Sequence, residues 1–118
     1  MTRKLVYVSG PYRGQDAWEV ETNVRRAEVM GMRLAQLGAV PVIPHAMFRF
    51  WHGTIDDQPW LDATLRLLRH CDAVVMLDGW ESSLGSSAEY HEAQRIGLVV
   101  CLEPAVGSVQ FREWVEQL

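Results

Sequence analysis

Four short apolar runs recur along the chain, separated by longer mixed segments. They are LVYV at 5–8, AVPVI at 39–43, AVVML at 73–77 and LVVCL at 98–102. Each run is continuous rather than alternating and is rich in β-branched residues, as in strands that are buried on both faces. The pattern therefore predicts a mainly parallel sheet of four or five strands.

The segments between the runs have helical spacing. Four helices are predicted, with starts near Asp16, Pro59, Ser87 and Ser108. Asp16 followed by Glu19 resembles a capping box, and Pro59 suits a first helical turn. The first helix is expected to end at Gly38, and the third to run from about Ser87 to Ile96 before Gly97. The stretch 44–58 is expected to be irregular.

Strand and helix thus alternate over the whole chain. This alternation predicts a single doubly wound α/β domain over residues 1–118, flavodoxin- or Rossmann-like, with strand order 2-1-3-4 and a fifth strand, if present, after the fourth. Ligands of such sheets bind beyond the carboxyl ends of the strands, where the strand order reverses. That point lies between strands one and three, which are followed by SGPYRG (9–14) and DGWESSLGSS (78–87).

Composition and charge limit the classes of molecule that the protein is expected to bind. The 118 residues include 48% hydrophobic and 22% charged residues, and the formal net charge is -4. A negative charge argues against a nucleic-acid polymer as partner, because binding to its backbone needs clustered basic residues. No apolar run approaches the roughly 20 residues of a membrane span, so no membrane partner is expected. A small anionic molecule remains possible, since one arginine can hold a phosphate.

Cysteine and histidine positions give no sign of a metal site. Cys71 and Cys101 form no CxxC, and the four histidines lack the spacing of metal ligands. The first residues contain no long apolar segment, which favours a reduced, cytoplasmic protein. We expect neither a metal ion nor an organic cofactor.

The two segments at the predicted crevice can bind an anion. Gly10 and Gly14 let the backbone turn close to a ligand, and Arg13 offers a forked cation for phosphate or carboxylate. The N-terminus of the following predicted helix favours an anion, and the hydroxyls and amides that lead into it come from Ser83, Gly85, Ser86 and Ser87. Both segments therefore suit a small polar ligand.

Glu89 is predicted to lie in the first turn of the third helix, where the helix dipole would keep its carboxylate ionised. Trp80 could stack on a nucleobase, and Asp78 could add a second carboxylate. Purely structural explanations remain open beside these. SGPYRG fits a simple turn, Ser86 or Ser87 fits a plain N-cap, and a first-turn glutamate commonly has no catalytic role.

The same two segments resemble the nucleoside 2-deoxyribosyltransferase-like superfamily, which includes the 2′-deoxynucleoside 5′-phosphate N-hydrolases and a less characterised bacterial and phage branch. VYVSGPYRG is similar to the first strand and loop of that superfamily. CDAVVMLDGWESSLGSSAEYHEA is similar to its later strand, S-x-G sequence and helix-borne glutamate. The likeness runs from Leu5 to about Pro104 and implies cleavage or transfer at the N-glycosidic bond of a (deoxy)nucleoside or its 5′-monophosphate.

The resemblance also implies residue roles. Glu89 would be the nucleophile that attacks the anomeric carbon, and Tyr7 would orient it. His45 takes the position of a histidine found in some members. The full set of expected substrate-binding residues is Ser9, Gly10, Arg13, Gly14, His45, Asp78, Trp80, Ser83 and Gly85. A homodimer is expected, because members often complete their sites with a neighbouring subunit.

One departure from the resemblance leaves two functions open. Some members carry a catalytic aspartate where this chain has Thr64, and Asp62 lies about half a helical turn away, so it should point elsewhere. The chain is therefore expected to be either an enzyme or a non-catalytic nucleotide-binding or sensor module. The enzyme hypothesis predicts a Tyr7–Glu89 hydrogen bond. It also predicts that hydrogen bonding and the helix N-terminus offset most of the upward effect of burial on the Glu89 pKa.

Overall fold

One parallel sheet organises the fold. The structure, a computed structural model, describes residues 3–51, 53–103 and 109–118. Four strands lie in the order β2-β1-β3-β4 and every pair is parallel. The strands are β1 Leu5–Ser9, β2 Val40–Val42, β3 Ala73–Met76 and β4 Val99–Leu102. The predicted doubly wound fold and strand order are confirmed, with four strands in the described residues.

Helices connect and cover the strands. They are α1 Ala17–Gln36, α2 Pro44–Met47, α3 Asp57–Arg69, α4 Leu84–Ile96 and α5 Val109–Glu116, with a short 3₁₀ helix at Trp80–Ser82. Helix α2 lies in the stretch that was predicted to be irregular. His52 and Ser108, the predicted start of the last helix, are outside the described residues. In the part of the chain that is described, no helix is long and apolar enough to cross a membrane.

Several predicted helix ends are confirmed. The Asp16 side chain accepts a hydrogen bond from the backbone N–H of Glu19 at 2.8 Å, so Asp16 caps α1. Pro59 lies in the first turn of α3. Gly38 and Gly97 have φ values of 95° and 77°, and this left-handed conformation after a helix favours glycine.

Side chains of β1 alternate between two apolar layers. Val6 and Val8 pack with residues of α1 and α5, whereas Tyr7 packs on the other face with Leu68 of α3 and Ala93 of α4. This alternation follows from the two-residue period of a strand. The odd-numbered side chains of β1 therefore point toward the α3–α4 layer.

Helix α4 begins earlier than its sequence indicated. Ser83 is the N-cap, and its Oγ accepts a hydrogen bond from the backbone N–H of Ser86 at 3.3 Å. The predicted start at Ser87 is wrong because the 3₁₀ helix has already turned the chain when it reaches Ser83. Glu89 is consequently the sixth residue of α4, in its second turn and not its first.

Candidate active site

A buried carboxylate lies between two hydroxyl groups of the central strand. Glu89 is 7% exposed and is the only buried carboxylate among residues 3–51, 53–103 and 109–118. Its Oε2 accepts a hydrogen bond from the Tyr7 hydroxyl, and its Oε1 accepts one from Ser9 Oγ at 2.6 Å. Both hydroxyls point toward α4 because residues 7 and 9 share one face of β1. The predicted Tyr7–Glu89 contact is confirmed, while the catalytic roles remain predictions.

Burial dominates the electrostatics of this carboxylate. Removal from water raises the pKa of Glu89, and the hydrogen bonds from Ser9, Tyr7 and Thr64 lower it by less. The net direction is upward, and the expectation that the lowering effects offset most of the burial stays a prediction. The helix dipole acts within the first turn, and Glu89 lies beyond it. Burial and the nearby Glu89 charge also raise the pKa of Tyr7 well above its ordinary value, so Tyr7 keeps its proton and donates it.

Replacing Tyr7 with Phe is expected to raise the Glu89 pKa further, because the carboxylate loses a donor while its burial is kept. If Glu89 acts as a nucleophile, turnover should fall by about 10- to 100-fold, the equivalent of one hydrogen bond to a charged group. The acid limb of the pH–rate profile should shift to higher pH. A ¹³C titration of the Glu89 carboxyl checks the pKa directly, and an unchanged value contradicts the assigned role of Tyr7.

Thr64 belongs to the surroundings of this carboxylate. It is 6% exposed on α3, its hydroxyl donates a hydrogen bond to the Leu61 carbonyl at 3.1 Å, and its proximity lowers the pKa of both Tyr7 and Glu89. Thr64 shares the inward stripe of Leu61, Leu65 and Leu68, and this spacing was a signal for its burial. Asp62 instead accepts a hydrogen bond from Gln58 and is exposed, as expected.

The glycines of the two segments meet different surroundings. A Cβ on Gly10 would lie 2.7 Å from the Cβ of Leu77, the residue after β3, so packing against Leu77 already accounts for glycine there. A Cβ on Gly14 would lie 2.5 Å from the Cβ of Glu19. A Cβ on Gly85 would meet nothing within 4 Å, so the first turn of α4 is open. Ligand binding at these positions stays a prediction.

Arg13 forms an ion pair with an aspartate of α3. Its guanidinium donates to the carboxylate of Asp57, the first residue of α3, and both side chains are mostly exposed. The pair connects the loop after β1 with the start of α3. A phosphate would have to compete with Asp57 for the guanidinium.

Replacing Asp57 with Asn should therefore strengthen phosphate binding if Arg13 holds a phosphate. The free energy of unfolding should change by less than about 1 kcal/mol, as is usual for exposed ion pairs. Calorimetric titration with a nucleoside 5′-monophosphate measures the gain. The matched variant Arg13→Gln should bind the nucleotide more weakly. Equal affinities in the wild type, Asp57→Asn and Arg13→Gln would mean that Arg13 does not bind the phosphate.

Two other predicted residues have protein partners at the carboxyl ends of the strands. The Asp78 side chain is exposed, and its backbone N–H donates to the Glu103 carboxylate at 2.5 Å. The Trp80 ring stacks on Tyr90, with centroids 4.3 Å apart and an angle of 24°. One face of Trp80 is thus covered by Tyr90, so a stacked base would need the other.

His45 rests against the loop that follows β1. Its Nε2 lies 3.1 Å from the carbonyl oxygen of Gly10 and 3.0 Å from that of Pro11. His45 belongs to α2, whose position after β2 brings it beside the end of β1. Ser86 is a further buried polar residue, one turn before Glu89 on the same face of α4. It was predicted only as an anion-binding hydroxyl or a plain N-cap, although its spacing of three residues from Glu89 was a usable signal for its place on the same helix face.

No cluster of three or more potential metal-binding side chains occurs among the residues whose structure is described. The polar groups around Glu89 are hydroxyls, which are poor anchors for a metal ion on their own. The site is thus built from one carboxylate and uncharged donors.

Sequence comparison places the chain in a family. A model of the domain of unknown function DUF4406 matches residues 4–102, a range that contains all four strands and Glu89 with its two hydroxyl donors. No curated protein matches the chain. Because the match covers most of the chain, the protein belongs to the DUF4406 family.

Proposed function

We propose that this protein cleaves or transfers at the N-glycosidic bond of a (deoxy)nucleoside or nucleoside 5′-monophosphate, with Glu89 as nucleophile. The observation that carries the proposal is the buried Glu89 carboxylate, held on both oxygens by hydroxyls of β1. The carboxylate lies between β1 and α4, beside the point where the strand order reverses. Ligands of doubly wound folds bind at that point.

The chemistry has two steps. A Glu89 oxygen attacks the anomeric carbon, the C–N bond breaks, and the base leaves with the electron pair and takes a proton from solvent. Water then attacks the same carbon, the bond to Glu89 breaks, and the carboxylate is restored while the water proton passes to solvent. A second base in place of water gives transfer. Covalent catalysis of this kind requires an ionised, positioned carboxylate.

The hydroxyl donors position that carboxylate. Tyr7 and Ser9 each bond a different oxygen of Glu89, which fixes the plane of the carboxyl group. The upward shift of the Glu89 pKa means that activity should rise with pH as Glu89 ionises. The pH–rate profile should therefore have an acid limb above the ordinary glutamate range.

The proposed substrate class is supported by the groups at the carboxyl edge of the sheet. The N-terminus of α4 offers backbone N–H groups beside the open position at Gly85, and this arrangement favours an anion such as a 5′-phosphate. The resemblance to the nucleoside 2-deoxyribosyltransferase-like superfamily points to the same substrates. It also supports a homodimer, and light scattering measures the oligomeric state.

The test is a substrate panel. Purified protein is incubated with the common nucleosides, 2′-deoxynucleosides and their 5′-monophosphates, and released base is measured by chromatography. The proposal expects release from at least one compound, with loss of release in Glu89→Gln. No release from the whole panel, with and without an added acceptor base, contradicts it.

A non-catalytic nucleotide-binding or sensor module is the second candidate. It is favoured by Thr64, an uncharged residue beside Glu89 where an acid would protonate a leaving base, and by the raised pKa of Glu89. A protonated carboxyl group is not a nucleophile. This candidate predicts nucleotide binding without release of base, so the same panel measured by calorimetry separates the two.

A further inference from the structure

Two buried polar atoms toward the carboxyl end of the sheet have no hydrogen-bond partner within the described ranges 3–51, 53–103 and 109–118. They are Nδ1 of His45 and Oγ of Ser86, whose residues are 8% and 2% exposed. Most buried side-chain polar atoms in proteins are paired, because an unpaired one loses its hydration without compensation. Two such atoms at one end of the sheet therefore point to a polar ligand.

Both atoms are close in the fold to the end of β1. His45 lies against Gly10, which directly follows Ser9, and Ser9 Oγ bonds Glu89. Ser86 lies one helical turn before Glu89 on the buried face of α4, nearer the carboxyl edge of the sheet. The two atoms thus belong to different elements, α2 and α4, that meet at the end of β1.

The tautomer of His45 is fixed by its neighbours. Carbonyl oxygens only accept hydrogen bonds, so Nε2, which faces those of Gly10 and Pro11, carries the hydrogen. Burial lowers the pKa of His45, so the ring is neutral near neutral pH. Nδ1 consequently has a lone pair and no hydrogen. It can accept from an O–H or N–H group and cannot donate to a phosphate oxygen.

Ser86 complements this acceptor. Its hydroxyl can donate or accept, and its backbone N–H is already used by the Ser83 cap. The side chain therefore has no structural bond to break when a ligand arrives. A neutral group with both donor and acceptor capacity suits this pair better than a phosphate does.

We propose that His45 Nδ1 and Ser86 Oγ recognise hydroxyl groups of the pentose whose anomeric carbon faces Glu89. This inference rests on the proposed function for the identity of the sugar. Sugar hydroxyls both donate and accept, so one can donate to His45 and another can bond Ser86. Ser86 and the acceptor role of His45 Nδ1 are thus specificity determinants for the sugar and not for the phosphate.

Ser86→Ala separates this role from a structural one. The substitution removes an unpaired buried hydroxyl, so the melting temperature should stay the same or rise by up to about 4 °C. Affinity for deoxyribose-bearing ligands should fall by about tenfold, the equivalent of one hydrogen bond. A serine that only supports the fold would give the opposite result, lower stability and unchanged affinity.

His45→Gln tests the other atom. The glutamine Nε2 can still donate to the Gly10 or Pro11 carbonyl, while the acceptor at the Nδ1 position is lost. Ser82→Ala is the matched control, since Ser82 is exposed and its hydroxyl bonds the Gly79 carbonyl. Should His45→Gln fail to fold, Ser86→Ala alone decides the outcome.

Binding is measured by calorimetry in the Glu89→Gln background, so that turnover plays no part. The probes are 2-deoxyribose, the four common 2′-deoxynucleosides and inorganic phosphate. We expect about tenfold weaker binding of sugar-bearing probes in Ser86→Ala and His45→Gln, with phosphate affinity unchanged. Unchanged sugar affinity, equal losses for phosphate, or no binding of any sugar-bearing probe would overturn the inference. If the two variants lose affinity only for the sugar-bearing probes while the wild type releases no base, the inference stands and the proposed function is wrong.

Discussion

Replacing Glu89 with Gln is expected to reduce release of base by at least about 10³-fold, the scale of losing a nucleophile. Glutamine keeps the shape of the side chain; its oxygen can accept one of the two hydrogen bonds from Tyr7 and Ser9, and its amide nitrogen can donate to the other hydroxyl oxygen. The ligand should therefore still bind. Turnover that survives in Glu89→Gln would mean that another group attacks the sugar.

The same substitution should change stability in a defined direction. The folded pKa of Glu89 is raised, so the folded state holds a proton that the unfolded state has released above about pH 4, the ordinary glutamate range. The contribution of Glu89 to stability is complete below that pH and is lost as pH rises through the raised pKa. Glutamine does not ionise, so the Glu89→Gln variant does not lose stability as the pH rises. Its free energy of unfolding at pH 7 should therefore exceed that of the wild type by about 1 kcal/mol.

Glu92→Gln is the matched control for this experiment. Glu92 lies on the same helix, and its carboxylate accepts hydrogen bonds from Arg69 and Arg95 rather than from residues of β1. It should leave the rate of base release unchanged. If Glu89→Gln is less stable than the wild type at pH 7, the burial of an unfavourable charge is not the dominant effect at this site.

Replacing Gly10 with Ala is expected to destabilise the protein by about 1 to 3 kcal/mol through overpacking. The added methyl would lie 2.7 Å from Leu77 Cβ, which is attached directly to the backbone after β3 and cannot move away. Gly10 has no positive φ, so steric overlap alone causes the loss. The melting temperature should fall by several degrees or more.

Gly85→Ala should have the opposite effect on stability. Gly85 is the second residue of α4, and a Cβ there meets nothing within 4 Å. Alanine favours the helix, so stability should rise by about 0.5 to 1 kcal/mol. Thermal unfolding of the two variants compares them directly. Similar losses in both would mean that the packing of Gly10 against Leu77 is not what requires glycine.

The fold was predictable because the four apolar runs and the helical spacing between them agree on one topology. The Tyr7–Glu89 contact was predictable for a related reason, since neighbouring strands bring the end of β1 beside α4. Helix α2 was not predictable from periodicity, because its four residues complete only one turn. Helix α2 places His45 against the loop after β1.

The details around Glu89 depend on competition between similar local signals. Several serines between residues 82 and 87 could cap α4. Ser83 is the N-cap because the 3₁₀ helix ends directly before it. That choice moves Glu89 out of the first turn of α4, and burial is the largest cause of its raised pKa. Thr64 was considered only as a missing acid, although its inward position makes it part of the site.

The most direct test of a Glu89 nucleophile is the trapped sugar–enzyme ester. Wild-type protein is incubated with a 2′-fluoro-arabino analogue of the nucleoside that the panel identifies, because fluorine slows hydrolysis of the intermediate. Intact and peptide mass spectrometry then locate the adduct. A Glu89 nucleophile predicts one glycosyl group per chain, on the peptide that contains Glu89, and none in Glu89→Gln. Release of the base with an unmodified Glu89, or an adduct at another residue, contradicts it.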